Sequence, residues 1–229
     1  MLGDREGQQL NRYVKDYVIF DLETTGISVK RDEIVEISAV KVIDSKVVDE
    51  FTSLVNPLIP IPYGASSVNG ITDDMVKDAP MLVDVMPGFL EFVGKMILVG
   101  HNIKSFDMKF IYRDCRKIYG KIPDNEYIDT LRFSRTVLPD LAHHALGDLA
   151  SYYGISTIGA HRALNDCRMN QKVFEKLNEE VTKTTDLQSS TLRICPVCGE
   201  FLKKRNGRYG EFFGCMGYPN CRYTENCTS

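Results

Sequence analysis

The stretch Phe20-Asp21-Leu22-Glu23-Thr24-Thr25-Gly26 decides how this chain folds and what chemistry it can carry. It continues the apolar run Tyr17-Val18-Ile19, which is typical of a buried strand. Alternate side chains of a strand share a face, so Asp21 and Glu23 point the same way. Two neighbouring carboxylates repel each other unless a cation lies between them. The stretch therefore predicts a core strand with a cation-binding site at its carboxyl end, where open α/β sheets place their sites.

Two later segments supply more groups of the same kind. Asp107 closes the segment HNIKSFD, and His161 and Asp166 bracket the segment HRALND. Carboxylates are the ligands expected for hard divalent cations, and two such cations about 3.5–4 Å apart can promote hydrolysis of a phosphodiester. Histidine titrates near neutral pH and suits the removal of a proton from the attacking water. We therefore predict a phosphodiester hydrolase whose metal ligands are Asp21, Glu23, Asp107 and Asp166, with His161 as the general base.

Length and composition indicate one globular domain with a small appendage. The chain has 229 residues, 43% of them hydrophobic, which is enough for a substantial core. No apolar stretch approaches the roughly 18 residues of a membrane span, and the first residues lack the apolar core of a signal peptide. We therefore expect a cytoplasmic protein without membrane contact. The net charge of −3 divides unevenly, with 22 Lys and Arg against 28 Asp and Glu up to Ser190 and 6 against 3 from Thr191 onward, so the two parts are expected to do different jobs.

The hydrophobic pattern predicts an α/β domain. Two strand-like runs flank Asp44-Ser45, which reads as a hairpin turn, and residues 96–100 form another buried strand. A helix ending at Gly120 carries Asp107 in its first turn, and three further helices follow, the last being the longest. Hydrophobic periodicity stops after Asn178. We therefore predict a main domain at residues 14–180, a polar linker at 181–191 and a cysteine-rich module at 192–226.

The cysteines indicate a metal site in that module. Of the seven cysteines, Cys115 and Cys167 lie on amphipathic helices and are predicted to be core residues, while five follow Ile194. Two close pairs of thiolates suit tetrahedral Zn²⁺, and in a cytosolic protein this is favoured over disulfides. Cys227 lies beyond the pattern and is interpreted as a spare thiol. One structural Zn²⁺ is therefore predicted on Cys195, Cys198, Cys215 and Cys221.

The three acidic segments, in this order, resemble the motifs of the DEDDh exonucleases. They are most similar to the proofreading epsilon subunit and the PolC-type exonuclease domains of bacterial DNA polymerase III, over roughly residues 17–177. The resemblance implies an RNase H-like fold with a mixed central sheet flanked by helices. It also implies 3′→5′ hydrolysis to nucleoside monophosphates, supported by two Mg²⁺ or Mn²⁺ ions. The same resemblance implies substrate contacts by Thr24, Thr25, Gly26, Asn102, Phe106 and His144.

The cysteine module resembles the C-terminal zinc ribbons of bacterial type I topoisomerases. Cations and aromatic rings alternate within it, and such faces attract phosphates and stack bases. Phe212 and Phe213 cannot both face inward on one strand, so one of them is expected to be exposed. Binding of single-stranded nucleic acid is favoured over a purely structural role, and a protein contact is the alternative use. The residues concerned are Lys203, Lys204, Arg205, Arg208, Tyr209, Phe212, Phe213, Tyr218 and Tyr223.

These observations lead to one main hypothesis and two rivals. The main hypothesis is a metal-dependent 3′→5′ exonuclease acting on single-stranded DNA or DNA 3′ ends, with the zinc ribbon tethering the strand. RNA 3′-end trimming is the rival within the enzyme class, since no residue visibly reads a 2′-hydroxyl. A non-catalytic nucleic-acid-binding adaptor is the rival from another class. Proofreading would require a DNA polymerase subunit as partner, while free-standing repair or trimming is equally compatible with the sequence.

Overall fold

A six-stranded mixed sheet forms the centre of this computed structural model, which describes residues 2–186, 193–208 and 210–227. The sheet order is β2-β8-β6-β3-β4-β5; the first four strands are mutually parallel, and β4 and β5 are antiparallel to their neighbours. A separate two-stranded pairing joins β1 to β7. The mixed α/β fold is therefore as predicted. The strands are β1 (Leu2–Gly3), β2 (Gln9–Leu10), β3 (Tyr17–Thr24), β4 (Ile34–Ile43), β5 (Lys46–Leu54), β6 (Ile97–Gly100), β7 (Ile122–Pro123) and β8 (Tyr127–Asp129).

Helices cover both faces of the sheet, because β3 is apolar on both sides. One core joins Phe20 of β3 to the helices that follow β5 and β6, and the other joins Ile19 to the last three helices. Among the described helices, none combines the length and apolar character needed to cross a bilayer. The helices are α1 (Tyr63–Asn69), α2 (Asp73–Val76), α3 (Leu82–Val93), α4 (Asp107–Tyr119), α5 (Thr130–Val137), α6 (Leu146–Tyr152) and α7 (Ala163–Asp186).

Two turns follow the sequence prediction closely. Asp44 and Ser45 have φ values of 48° and 63°, the left-handed pair that a two-residue hairpin between β4 and β5 requires. Gly120 ends α4 with φ 69°, a conformation that glycine adopts without steric cost. These two turns fix where β4 and α4 stop.

The end of the main domain differs from the prediction. Helix α7 continues for 24 residues to Asp186, so residues 181–186 of the predicted linker are helical. Residues 187–191 of that linker lie outside the described residues. The apolar pattern does fade after Asn178, but Val181 is only 8% exposed and still packs on the core. One buried side chain per turn is enough to hold a helix whose other faces are polar.

The C-terminal module is a small antiparallel sheet in the order β12-β11-β10-β9. The predicted first residue of the module, Leu192, lies outside the described residues. Four cysteines lie at the ends of its strands and in the knuckles between them. The strands are β9 (Arg193–Ile194), β10 (Phe201–Gly207), β11 (Gly210–Cys215) and β12 (Thr224–Asn226). We call residues 193–227 the ribbon.

The ribbon packs directly on the larger domain. The ring of Phe201 is fully buried with its centroid 5.4 Å from that of Phe133 on α5. The Glu200 carboxylate accepts the backbone N–H of Asn11, just after β2, at 2.8 Å from either oxygen. The Arg12 guanidinium donates to the carbonyl of Cys198 at 2.9 Å. The ribbon therefore lies against the β2 edge of the sheet.

Candidate active site and zinc ribbon

Three of the predicted metal ligands meet at the carboxyl end of β3. Asp21 and Glu23 project from this strand on the same face, and Asp166 lies in the first turn of α7. Each contributes a carboxylate oxygen to a group whose members all lie within 4.8 Å of one another. The alternation along β3 and the position of Asp166 near a helix start produce this grouping.

Asp107 lies beside this group rather than within it. It is the first residue of α4, is 2% exposed, and accepts the backbone N–H of Leu22 at 3.2 Å. Leu22 separates Asp21 from Glu23, so this bond holds the start of α4 against the acidic end of β3. Burial raises the pKa of Asp107 to about 8.

The carboxylates destabilise each other's charged forms. Burial, followed by the charges of Asp107 and Glu23, raises the pKa of Asp21 well above its usual range. Burial, followed by the charge of Asp166, raises the pKa of Glu23 to about 7. Burial is also the main cause of the raised pKa of Asp166. Crowded hard oxygen donors of this kind fit a divalent cation, whose charge would offset the repulsion.

His161 reaches the same cavity from the turn before α7. Its φ of 66° is left-handed, and its backbone N–H donates to Oδ2 of Asp166 at 2.9 Å. Its exposed side chain lines a cavity of ≈ 840 Å³ together with Asp21 and Asp166. The H-x-x-x-x-D spacing thus places the imidazole at the mouth of the cavity while the carboxylate points inward.

His101 forms part of the wall of this cavity. Its Nδ1 lies 3.1 Å from Oγ1 of Thr130 at the start of α5. Burial is the main cause that lowers the pKa of His101 to about 4, and the charges of Arg135 and His144 act in the same direction. The imidazole is therefore neutral at neutral pH. Its role in structure or substrate contact stays a prediction.

The predicted substrate residues after β3 shape a turn. The hydroxyl of Thr24 donates to the carbonyl of Gly26 at 2.7 Å, and the hydroxyl of Thr25 accepts the N–H of Glu33 at 3.0 Å. A Cβ at Gly26 would come within 2.6 Å of the Asp32 carboxylate, so a larger residue there would displace the side chain that accepts the N–H of Ser28. None of the three lines the ≈ 840 Å³ cavity, and their contact with substrate stays a prediction.

The other predicted substrate residues do not line the cavity either. Asn102 is exposed with φ 60°, and Phe106 packs its ring 5.1 Å from that of Phe110. His144 is half-buried, with Nδ1 3.0 Å from Oγ of Ser134. Their roles in binding substrate also stay predictions.

Three supporting residues were missed by the sequence analysis. Glu36 on β4 is 3% exposed and binds Arg162, beside His161. Asp129 caps α5 and also accepts backbone N–H groups from the segment after β6. Asn69 donates a hydrogen bond to the carboxylate of Glu23 from α1. Only Glu36 left a sequence signal, as an acid inside the apolar run of β4.

The four predicted zinc ligands converge in the ribbon. The sulfur atoms of Cys195, Cys198, Cys215 and Cys221 all lie within 4.8 Å of one another, with the closest pair 3.4 Å apart. Four thiols converging in this way suit tetrahedral Zn²⁺. Cys227 lies outside this group, as expected. The cysteine cluster therefore indicates a zinc ribbon.

The aromatic and cationic residues of the ribbon divide between its two faces. Lys204 forms an ion pair with Glu211 at 2.6 Å. The ring of Phe213 packs near the cysteines, under the guanidinium of Arg193. Phe212 lines a separate cavity of ≈ 340 Å³. Phe212 and Phe213 are both half-buried, so the expectation that one is simply exposed was wrong, because each finds a different partner on its own face.

Tyr209 lies outside the described residues. The ≈ 340 Å³ cavity, called here the aromatic groove, includes Arg205, Phe212, Tyr218, Arg222 and Tyr223 in its lining.

Comparison with known proteins gives two family matches. Residues 18–174 match the family described as "Exonuclease", and residues 192–229 match the one described as "Topoisomerase DNA binding C4 zinc finger". A DNA polymerase III PolC-type protein of Caldanaerobacter subterraneus subsp. tengcongensis is 41% identical over 166 residues, which is 72% of this chain but 12% of that protein. The DNA polymerase III subunit epsilon of Aquifex aeolicus is 37% identical over 165 residues, 72% of this chain and 81% of the relative.

Solved structures give the same assignment. Exonuclease X in complex with 5′ overhanging duplex DNA aligns with a TM-score of 0.57 and 30% identity, over 71% of this chain and 91% of that one. Escherichia coli Exonuclease I in complex with a dT13 oligonucleotide aligns with a TM-score of 0.65 over 76% of this chain and 43% of that one, and at 17% identity it shows the fold alone. The chain therefore belongs to the exonuclease family that includes these DNA polymerase III relatives, and it carries a topoisomerase-type C4 zinc ribbon.

Proposed function

We propose that the protein is a metal-dependent 3′→5′ exonuclease that hydrolyses DNA from its 3′ end to nucleoside monophosphates. The observation that carries the proposal is the convergence of Asp21, Glu23 and Asp166 within 4.8 Å, with His161 lining the same cavity. The DNA complexes of Exonuclease X and Exonuclease I support DNA as the substrate class. Family membership alone would leave the activity of this chain open; the grouped carboxylates and the position of His161 at the same cavity support the proposal.

The carboxylates supply the ligands for the reaction. Two Mg²⁺ or Mn²⁺ ions, when bound by Asp21, Glu23, Asp107 and Asp166, would neutralise the phosphate and lower the pKa of the attacking water. Asp107 is fixed by the backbone of β3, and Asp166 is fixed by the N–H of His161, so both carboxylates are held in place before substrate arrives. Holding ligands in advance reduces the reorganisation needed in the transition state.

His161 is proposed as the general base. Its imidazole stands at the mouth of the cavity, where a ring nitrogen can accept the proton of a water aimed at the terminal phosphodiester. The bond between phosphorus and the 3′ oxygen of the preceding nucleotide breaks as the water oxygen attaches. Burial lowers the pKa of His101 to about 4, so its imidazole is a poor acceptor for this proton.

The test is a gel time course with 5′-labelled single-stranded DNA in Mg²⁺ or EDTA. Wild type is compared with Asp21→Asn, and with Asp84→Asn, which neutralises an exposed carboxylate on α3 away from the cavity. We expect a metal-dependent ladder of shortened 5′-labelled products from wild type and Asp84→Asn and none from Asp21→Asn. A thermal melt adds a second readout, because Mg²⁺ should stabilise wild type and not Asp21→Asn. Full cleavage by Asp21→Asn would refute the assigned site.

The same assay separates the two rivals. A ladder on matched RNA but not on DNA would assign the protein to RNA trimming. Absence of any ladder, with nucleic acid still bound, would assign it to the adaptor class. Release of mononucleotides, identified by chromatography, distinguishes exonucleolytic cleavage from internal cutting.

The ribbon is proposed to bind the single strand that feeds the site. The family matched by residues 192–229 is described as DNA binding, and the aromatic groove offers rings for base stacking beside arginines. Association with a DNA polymerase is proposed from the epsilon-subunit relative, and cytoplasmic location from the four converging thiols, which need a reducing compartment. Copurification with a polymerase subunit tests the proposed association with a DNA polymerase.

A further inference from the structure

The face of β10 that packs on the larger domain also carries cations. Side chains alternate along a strand, so Phe201, Lys203 and Arg205 share one face while Leu202 and Lys204 share the other. Phe201 is buried against α5, whereas Lys203 and Arg205 are exposed further along the same strand. The docked face of the ribbon therefore continues as a positively charged surface beyond its apolar contact.

Helix α5 presents a matching pair of cations. Arg132 and Arg135 are three positions apart, so they lie one above the other on the exposed side of the helix. Together with Lys203 and Arg205 they line a cavity of ≈ 550 Å³ between the two domains, which we call the interdomain cleft. Within residues 2–186, 193–208 and 210–227, none of these four cations forms an ion pair with a carboxylate. Thr136 and Met216 complete the lining.

The cleft is continuous with a binding surface at each end. Arg205 lines both the cleft and the aromatic groove, so the two cavities share a wall. At the other end, Oγ of Ser134 on α5 lies 3.0 Å from Nδ1 of His144, and burial lowers the pKa of both His144 and His101, with the charge of Arg135 acting in the same direction. His101 lines the catalytic cavity with Asp21. The eight-residue helix α5 is about 12 Å long, so a short step separates the cleft from the catalytic cavity.

We propose that the interdomain cleft binds the phosphate backbone of single-stranded DNA between the aromatic groove and the catalytic cavity, so that one strand contacts all three. The inference rests on the proposed function, because the 3′ end of that strand occupies the catalytic cavity. Unpartnered cations suit phosphates, and the rings at the far end suit unpaired bases. In the docked arrangement the ribbon supplies one wall of a channel whose other wall is α5.

The test measures binding of fluorescent oligothymidylate by anisotropy across a range of salt, in an Asp21→Asn background without chelator, so that cleavage is blocked and the ribbon keeps its zinc. The variants Arg135→Gln, Lys203→Gln and Arg205→Gln are each compared with Lys95→Gln, an exposed lysine just before β6, at the end of that strand opposite the acidic group. Lys204→Gln provides a comparison on the same strand, since its charge faces away and is paired with Glu211. For a strand long enough to reach the ribbon, each cleft variant should raise Kd roughly three- to tenfold and reduce the slope of log K against log salt by about 0.7. Lys95→Gln should change neither quantity, and Lys204→Gln should change both less.

The p-nitrophenyl ester of thymidine 5′-monophosphate separates this proposal from the proposed function, because it carries a cleavable phosphodiester and no upstream strand. If wild type hydrolyses neither the ester nor DNA, the proposed exonuclease activity is refuted, whatever the binding data show. For an active enzyme, we expect cleft variants to lose much more activity on the long strand than on the ester. Cleft variants that bind the long strand with the Kd and salt slope of Lys95→Gln would overturn the cleft proposal. Cleft dependence seen only with matched oligouridylate would overturn its assignment to DNA.

Discussion

The carboxylate of Glu36 on β4 binds the guanidinium of Arg162 at 2.7 and 3.2 Å and also accepts the backbone N–H of Ala163 at 3.1 Å. Glu36 is almost fully buried, so the sheet holds its carboxylate firmly in the ion pair with Arg162. Arg162 follows His161 directly, and Ala163 begins α7. One carboxylate therefore fixes the start of α7 against the sheet, at the point where the helix presents His161 and Asp166.

Glu36→Gln should lower kcat about ten- to a hundredfold, because small displacements of catalytic groups carry costs of this size. Since Glu36 is a positioning residue outside the cavity, KM for DNA should change much less than kcat. Glu50→Gln is the matched control, because Glu50 joins Arg168 of the same helix to β5 on the exposed surface. Equal kcat values for the two variants would contradict the positioning role.

Removal of zinc should unfold the ribbon, since four thiolates released from a metal leave too small a core to hold its strands. Mass spectrometry under native conditions should find one zinc per chain in wild type and in Cys227→Ser, and none in Cys198→Ser. Hydrogen exchange should then accelerate in the ribbon and in the neighbouring backbone of Asn11, whose N–H is held by Glu200. Full zinc content in Cys198→Ser would contradict the assigned ligands.

Alkaline pH should destabilise the fold through a buried tyrosine pair. Tyr13 and Tyr17 both donate to the Glu175 carboxylate. Burial and this hydrogen bond raise the pKa of Tyr13 to about 12 and that of Tyr17 further. A folded-state pKa above the unfolded value of about 10 gives stability that is complete below pH 10 and is lost as pH rises towards 12.

Urea unfolding at pH 7 and pH 11 measures this effect. Tyr17→Phe should lose about 1.5–3 kcal/mol at pH 7, because one hydrogen bond to a charged group disappears. It should also lose less further stability than wild type between the two pH values, since one buried hydroxyl no longer resists ionisation. Tyr152→Phe, at a side chain that is 54% exposed, should behave like wild type. A Tyr17→Phe curve parallel to wild type would show that Tyr17 does not contribute.

Phe201→Ala should loosen the ribbon from the larger domain while leaving zinc bound. The ring is buried between β10 and α5, so its removal costs about 3–5 kcal/mol at that contact. Hydrogen exchange in α5 should increase relative to Phe212→Ala, which truncates a ring in the aromatic groove instead. Unchanged protection of α5 in Phe201→Ala would mean that the docked contact is not stable in solution.

Local patterns in the sequence predicted much of this molecule. The alternation in β3 placed Asp21 beside Glu23, and a spacing of five residues placed His161 and Asp166 at one helix start. Pairs that are distant in sequence left no such pattern: Glu36 meets a partner 126 positions away, and Glu200 meets Asn11 across 189 positions. The ribbon docks through contacts between residues that are distant in sequence. The polar composition after Asn178 gave no sign of these contacts.

The contact between Glu200 and Asn11 also constrains the order of folding during translation. β2 is the edge strand of the central sheet, and the carboxylate that binds the backbone just after it is synthesised 189 residues later. Until the ribbon leaves the ribosome and acquires its metal, this edge of the sheet is uncovered and open to pairing with other chains. A chain whose ribbon has not yet folded would therefore expose this edge strand of the central sheet.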